Sequence, residues 1–264
     1  MDQNALASKS FRAEIPLVAT DGVFIMTLNG KRILVLGGSS GIGLATAQAA
    51  AKEGAAVVIV SSRQASVDRA LTMLTGAEGH AVDLTDAAAV EAFFARAGAF
   101  DHLVFTAGET LQLGPLAGTD LVVARQFFDL RYWGAFLAAK HGSKHIRPGG
   151  SIVFTSGLAG QRPPRAGWAL GASICSAMEG LTRALAIELA PIRVNIVCPG
   201  FVKTPLWSGM TEAEREALYD QMSQKLLVGH VAEPEEIAEA YLYLMRQTFG
   251  TGQVVVVDGG GTLV

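Results

Sequence analysis

Cysteine is scarce: Cys175 and Cys198 are the only two in 264 residues. That excludes a disulfide framework, and their spacing fits no zinc site, so no metal is expected and a reducing cytoplasm is the default compartment. Aromatic residues make up only 7% of the chain and charged residues 17%. A formal charge of −3 gives no reason to expect nucleic acid or an anionic membrane as partner. No run of about 18 apolar residues occurs, which excludes a membrane-spanning helix. A local absence is more telling, because neither tyrosine nor lysine occurs anywhere from Gly149 to Pro199.

Glycine and aliphatic residues are abundant. Thirty glycines and a 50% apolar content suit a largely buried sheet rather than a disordered chain. Arg32 to Leu36, Ala55 to Ser61, Asp101 to Thr106, Ser151 to Thr155, Arg193 to Cys198 and Gln253 to Val257 read as buried strands. Helical stretches alternate with them, including Ile42 to Glu53, Leu121 to His145, Trp168 to Leu189 and Pro234 to Gln247. Such alternation predicts an α/β, Rossmann-type doubly wound parallel sheet with helices on both faces, in a single domain. Residues 1–28 read as an N-terminal extension and residues 29–264 as the nucleotide-binding domain. Asp21 and Gly22 interrupt the apolar part of that extension, which does not fit a signal peptide. The segment 201–229 lacks strand signals and is expected to lie beyond the strands' carboxyl ends, as a substrate lid.

Gly37-Gly38-Ser39-Ser40-Gly41-Ile42-Gly43 follows the first strand and opens the first helix. Glycines there let backbone approach a pyrophosphate, and the helix start offers free N–H groups. The alternative is a plain glycine turn packing helix on strand. At the next strand end, Ser61-Ser62-Arg63 carries no acid to bind a ribose 2′-hydroxyl. Arginine suits a 2′-phosphate, which favours NADP(H) over NAD(H), unless Arg63 is an ordinary solvated side chain.

Taken in order, these motifs resemble the short-chain dehydrogenase/reductase family. The likeness runs from about Leu28 to Val264. It includes Val82-Asp83-Leu84, Thr106-Ala107-Gly108, Arg193-Val194-Asn195, Pro199-Gly200-Phe201-Val202-Lys203-Thr204-Pro205 and Val257-Asp258-Gly259-Gly260. The resemblance implies that Asp83, with Leu84 beside it, meets the adenine. It implies that Ala107 and Gly108 line the cofactor, and that Val202, Thr204 and the Pro199-Gly200 turn hold the nicotinamide end. It also implies a homodimer or homotetramer and a small-molecule substrate.

The family's chemistry uses an Asn, a Ser, a Tyr and a Lys, and by motif all four depart here. Arg131 stands at the Asn position, Gly157 at the Ser position with Ser156 one residue before, and Leu170 and Ile174 at the Tyr and Lys positions. A positioned general acid contributes about 10²- to 10⁴-fold in rate, so routine ketone reduction is expected to be poor. Arg131, Ser156 and Trp168 are the candidate functional replacements. Arg131 stabilises or orients negative charge while keeping its proton near pH 7, or forms a structural ion pair with Asp129 or Glu109. Ser156 positions a substrate oxygen or caps the strand end, and Trp168 forms an aromatic wall or packs in the core. Three readings follow: a reductase of an imine, iminium or activated double bond; a catalytically silent nucleotide-binding protein; or a non-redox isomerase that uses its cofactor structurally. Some fungal relatives without the tyrosine and lysine reduce iminium-like intermediates, which supports the first by analogy.

Overall fold

A computed structural model describes residues 18–20, 23–25, 27–108, 111 and 113–264. Most of the expected extension, with Glu109, Thr110 and Gln112, lies outside the described residues. Within the extension, β1 (Val18–Thr20) pairs antiparallel with β2 (Val23–Ile25).

Among the described residues, seven strands form one parallel sheet. In chain order they are β3 (Arg32–Leu36), β4 (Ala56–Ser61), β5 (Glu78–Ala81), β6 (Phe100–Phe105), β7 (Ile146–Thr155), β8 (Arg193–Pro199) and β9 (Val254–Val257). Their spatial order is β5-β4-β3-β6-β7-β8-β9. Chain order reverses between β3 and β6, and the crevice beyond their carboxyl ends is where such sheets bind ligands.

Strand side chains alternate between two cores. Leu34, Leu36, Val58 and Val60 face one, and Ile33, Val35, Val57 and Ile59 face the other. The first core is closed by α3 (Ala87–Ala97), α5 (Ala135–Gly142) and α6 (Ala169–Glu188), through Phe93, Phe94, Ala138, Met178 and Leu185. The second is closed by α1 (Gly41–Lys52), α2 (Gln64–Leu71) and α8 (Pro234–Arg246), through Ala47, Val67, Ile237 and Tyr241. Burial on both faces explains why these strands read as unbroken apolar runs.

The helix expected from Leu121 to His145 is interrupted. α4 (Leu121–Phe128) gives way to a π-helical turn, Asp129–Gly134, before α5, and a short 3₁₀ turn covers Ser143–His145. The strand expected to start at Ser151 begins at Ile146. β5 ends at Ala81, so Asp83 lies beyond it. Within the expected lid segment, α7 (Glu212–Lys225) begins with a capping box from Thr211 to Glu214 and has no buried residue.

Several buried polar groups are matched within the fold. The Asn195 amide donates to the Gly250 carbonyl (3.0 Å) and accepts from the Gln253 N–H (3.0 Å). Arg193 donates to the carbonyls of Leu244 (2.7 Å) and Met245 (3.1 Å) at the end of α8. His102 Nδ1 shares a hydrogen with Ser151 Oγ at 2.9 Å. Burial, aided by the Arg193 charge, holds the His102 pKa down to about 3 from an ordinary 6.5. The folded ring stays neutral where the unfolded chain takes up a proton. Its contribution is therefore fully present above pH 6.5 and declines as pH falls from there toward 3. Denaturant midpoints of the wild type are expected to drop across that window, and those of His102→Gln to drop less; equal slopes would refute this account.

Candidate active site

The glycine turn is built by close approach. Gly37 has φ +92°, and a Cβ there would lie 2.5 Å from the Ala107 nitrogen, so the loops after β3 and β6 touch through backbone alone. A Cβ on Gly43 would strike the Gly37 carbonyl and Thr106 Oγ1. Gly41 opens α1 at φ +52°, and a Cβ there would lie 3.3 Å from the Thr204 side chain. Ser40 is the N-cap of α1, but its side chain makes no capping bond, and the first turn carries no acid. The positive end of a twelve-residue helix thus faces the crevice without a neutralising side chain, an arrangement that fits a pyrophosphate.

The other residues expected at the nucleotide site divide into two groups. Ser62 and Arg63 are exposed at the end of β4, and Ser39 Oγ donates to Ser61 Oγ at 2.9 Å, tying the turn to that strand. Asp83 is exposed and braced by the Thr85 N–H (2.9 Å) and hydroxyl (2.7 Å). Gly200 is held against β9, because a Cβ there would lie 2.7 Å from Asp258 Cα. Leu84 and Val202 differ, since their side chains lie in the two cores. They offer only backbone to a ligand, and the Val202 carbonyl already accepts from Trp207 Nε1 at 3.0 Å. Ile42 likewise packs its side chain against the second core.

Beside the turn opens a cleft of about 640 Å³, counting space open to solvent. Arg131, Ser156 and Trp168 all line it. Arg131 is brought there by the π-helical turn, whose wider backbone re-aims a side chain. Its guanidinium lies 5.4 Å from the Phe127 ring centroid. A Cβ on Gly108 would stand 2.7 Å from its Nη1, so the bare glycine of the β6 loop makes room for the cation. Tyr132, by contrast, packs against the first core. Phe201 and Trp207 stack at 5.5 Å and 8°, forming an opposite wall.

On α6 the cleft-facing pair is shifted from the expected one. Ile174 lines the cleft and Leu170 does not, whereas Gly171 and Cys175, one turn apart, both do. Trp168 covers Gly171: a Cβ there would meet the indole at 3.2 Å. A Cβ on Gly157 would lie 3.3 Å from Cys175 Sγ. Burial raises the Cys175 thiol to about 11, against the pull of Arg131, so it is a weak nucleophile at neutral pH. The described lining residues include neither tyrosine nor lysine, and Arg131 is the charged residue among them. Gly171, Phe127 and Trp207 were not singled out from the sequence. The inward direction of the first two is set by how α4 and α6 pack, which periodicity alone does not fix.

The family model described as enoyl-(acyl carrier protein) reductase matches residues 37–262. The short-chain dehydrogenase/reductase fsr5 of Gibberella fujikuroi is 34% identical, over 93% of this chain and 100% of its own. A small-chain dehydrogenase solved in complex with NADPH shares 37% identity with a TM-score of 0.79, covering 89% of this chain and 100% of that one. The MalC reductase/Diels-Alderase of Malbranchea aurantiaca shares 33% identity with a TM-score of 0.84, covering 90% and 98%.

Gly37→Ala would place a methyl group against the Ala107 backbone at a positive φ. The expected cost is about 3 kcal/mol of stability or more, with loss of dinucleotide binding. Chemical denaturation and nucleotide fluorescence titration check it; near-normal values for both would contradict the close-approach account.

Proposed function

The chain belongs to the short-chain dehydrogenase/reductase family, and on that premise we propose that it is an NADP(H)-dependent oxidoreductase acting on a carbon that needs no proton from the protein. The observation that carries this reading is the cleft floor, where Gly157, Gly171, Ile174 and Cys175 present hydrogen, hydrocarbon and a weakly acidic thiol. When bound, the nicotinamide supplies the hydride. The α1 N-terminus and the Gly37–Gly43 backbone bind the pyrophosphate. Arg63 and Ser62 hold the 2′-phosphate, where an acid would repel it. Asp83 faces the adenine. Ala107, Gly108, Pro199, Gly200 and Thr204 border the nicotinamide end.

Trp168, Phe127, Phe201 and Trp207 exclude water and hold a flat apolar substrate. Arg131 orients a substrate acceptor group and stabilises developing negative charge without giving up a proton. A ketone would need the missing acid. An imine-type carbon or an activated double bond protonated by water would not. The enzyme is read as a cytoplasmic homodimer or homotetramer, and Leu121, Val122 and Trp133, exposed on α4 and the π turn, offer an apolar face for such contact. Among the described residues no helix is long and apolar enough to cross a membrane.

A second reading is ring-forming or isomerising chemistry with the cofactor as a wall of the site. It is favoured by the apolar cleft and by the similarity to a reductase/Diels-Alderase. NADPH oxidation with matched imines, enones and ketones separates these readings. Imine or enone turnover without ketone turnover is expected; turnover of ketones alone would overturn the first reading, and product formation without NADPH consumption would select the second. Arg63→Glu is expected to weaken NADPH binding about tenfold or more while sparing NADH. Titration of both nucleotides measures it, and an unchanged NADPH affinity would remove Arg63 from the phosphate site.

A further inference from the structure

One charged group near the cleft has no part in the chemistry above. Glu179 stands one turn beyond Cys175 on α6, half-buried, in a helix otherwise dominated by small and apolar residues. Ser156 lines the cleft, and its hydroxyl donates to Glu179 Oε1 at 3.4 Å and also reaches the Cys198 thiol. Burial raises the Cys175 thiol, Arg131 pulls it down and Glu179 pushes it up, so the cleft floor lies between a cation and an anion. Glu179 acts on the buried Cys198 thiol in the same sense.

A serine hydroxyl has one proton and two acceptor lone pairs. With its proton directed at Glu179, Ser156 offers the cleft lone pairs rather than a donor. A carboxylate behind that oxygen strengthens it as an acceptor. Such a floor discriminates against a carbonyl oxygen and favours a positively charged N–H group.

We propose that Glu179, acting through Ser156, is a positioning residue that selects a substrate carrying a cationic N–H, namely a protonated imine. This rests on the reading above that the cleft reduces an imine-type carbon. In that reaction hydride bonds to the imine carbon, and the C=N π pair becomes the nitrogen lone pair. The nitrogen keeps its proton, and a neutral amine forms. Ser156 and Glu179 exchange no proton; they hold the nitrogen and offset the Arg131 charge.

The test is binding of tetrahydroisoquinoline, a secondary ammonium at neutral pH, against isochroman, its neutral oxygen isostere. Both are titrated into the NADP⁺-loaded protein by quenching of Trp168 and Trp207, which line the cleft. Wild type is expected to prefer the ammonium about tenfold or more, the scale of a hydrogen bond to a charged group. Glu179→Gln should abolish the preference by weakening ammonium binding, with isochroman bound no more weakly than by wild type. Should that variant fail to fold, Ser156→Ala is expected to do the same with Glu179 intact. Equal binding of the two ligands by wild type, or a preference surviving both variants, would overturn the proposal. Selective ammonium binding without turnover of any imine would sink the reductase reading and leave this one standing. Imine reduction without charge preference would do the reverse.

Discussion

Bare backbone meeting bare backbone is the constraint on which the site depends. The Gly37 turn rests directly on the Ala107 nitrogen, which fixes the ends of β3 and β6 at the point where chain order reverses. Several contacts radiate from there. Gly43 accepts the Gly37 carbonyl and the Thr106 hydroxyl in the space a methyl would fill, and Gly41 lets Thr204 approach. Gly108 leaves room for the Arg131 guanidinium. In each case an absent side chain admits a functional group. The glycine turn and the cleft beside it are thus one piece of geometry, seen from two sides.

Elsewhere the sheet is held by polar groups rather than by close approach. Asn195 fastens the turn into β9, and Arg193 closes the end of α8. Thr155, at the end of β7, donates to the Phe105 carbonyl at 2.8 Å and lies 2.7 Å from the Tyr241 hydroxyl. These bonds lock β6, β7 and α8 together behind Ser156. Each saturates a group whose burial would otherwise cost about 1–3 kcal/mol. They explain why Ser156 emerges at a fixed place although the loop after it is irregular.

Much of this was legible in the residues. Apolar runs separated by helical stretches specify a parallel sheet because burial on both faces erases alternation within a strand. The glycine turn was legible because its conformation and contacts tolerate little else. Side-chain direction was not. Leu170 and Ile174 were expected to share the cleft, yet successive helical positions point about 100° apart, and which of them faces the cleft is set by how α6 packs, not by its sequence. That brought Gly171 and Cys175 inward and left Leu170 out. The π turn at Asp129–Gly134 was also invisible, because residues such as Leu130, Tyr132 and Trp133 suit an ordinary helix as well as a widened one. Leu84 and Val202 carry family motifs, but their side chains serve the cores. Motif position alone does not separate a ligand contact from a packing residue.

α7 buries no residue of its own. Its anchors sit outside it, in Trp207 before and Leu226 after, both buried. Detaching such a segment forfeits little apolar contact, so its opening free energy is a small fraction of that needed to unfold the sheet. Movement of that segment is thereby thermally cheap and independent of global robustness. Amino-acid replacements along it can accumulate without eroding the sheet beneath.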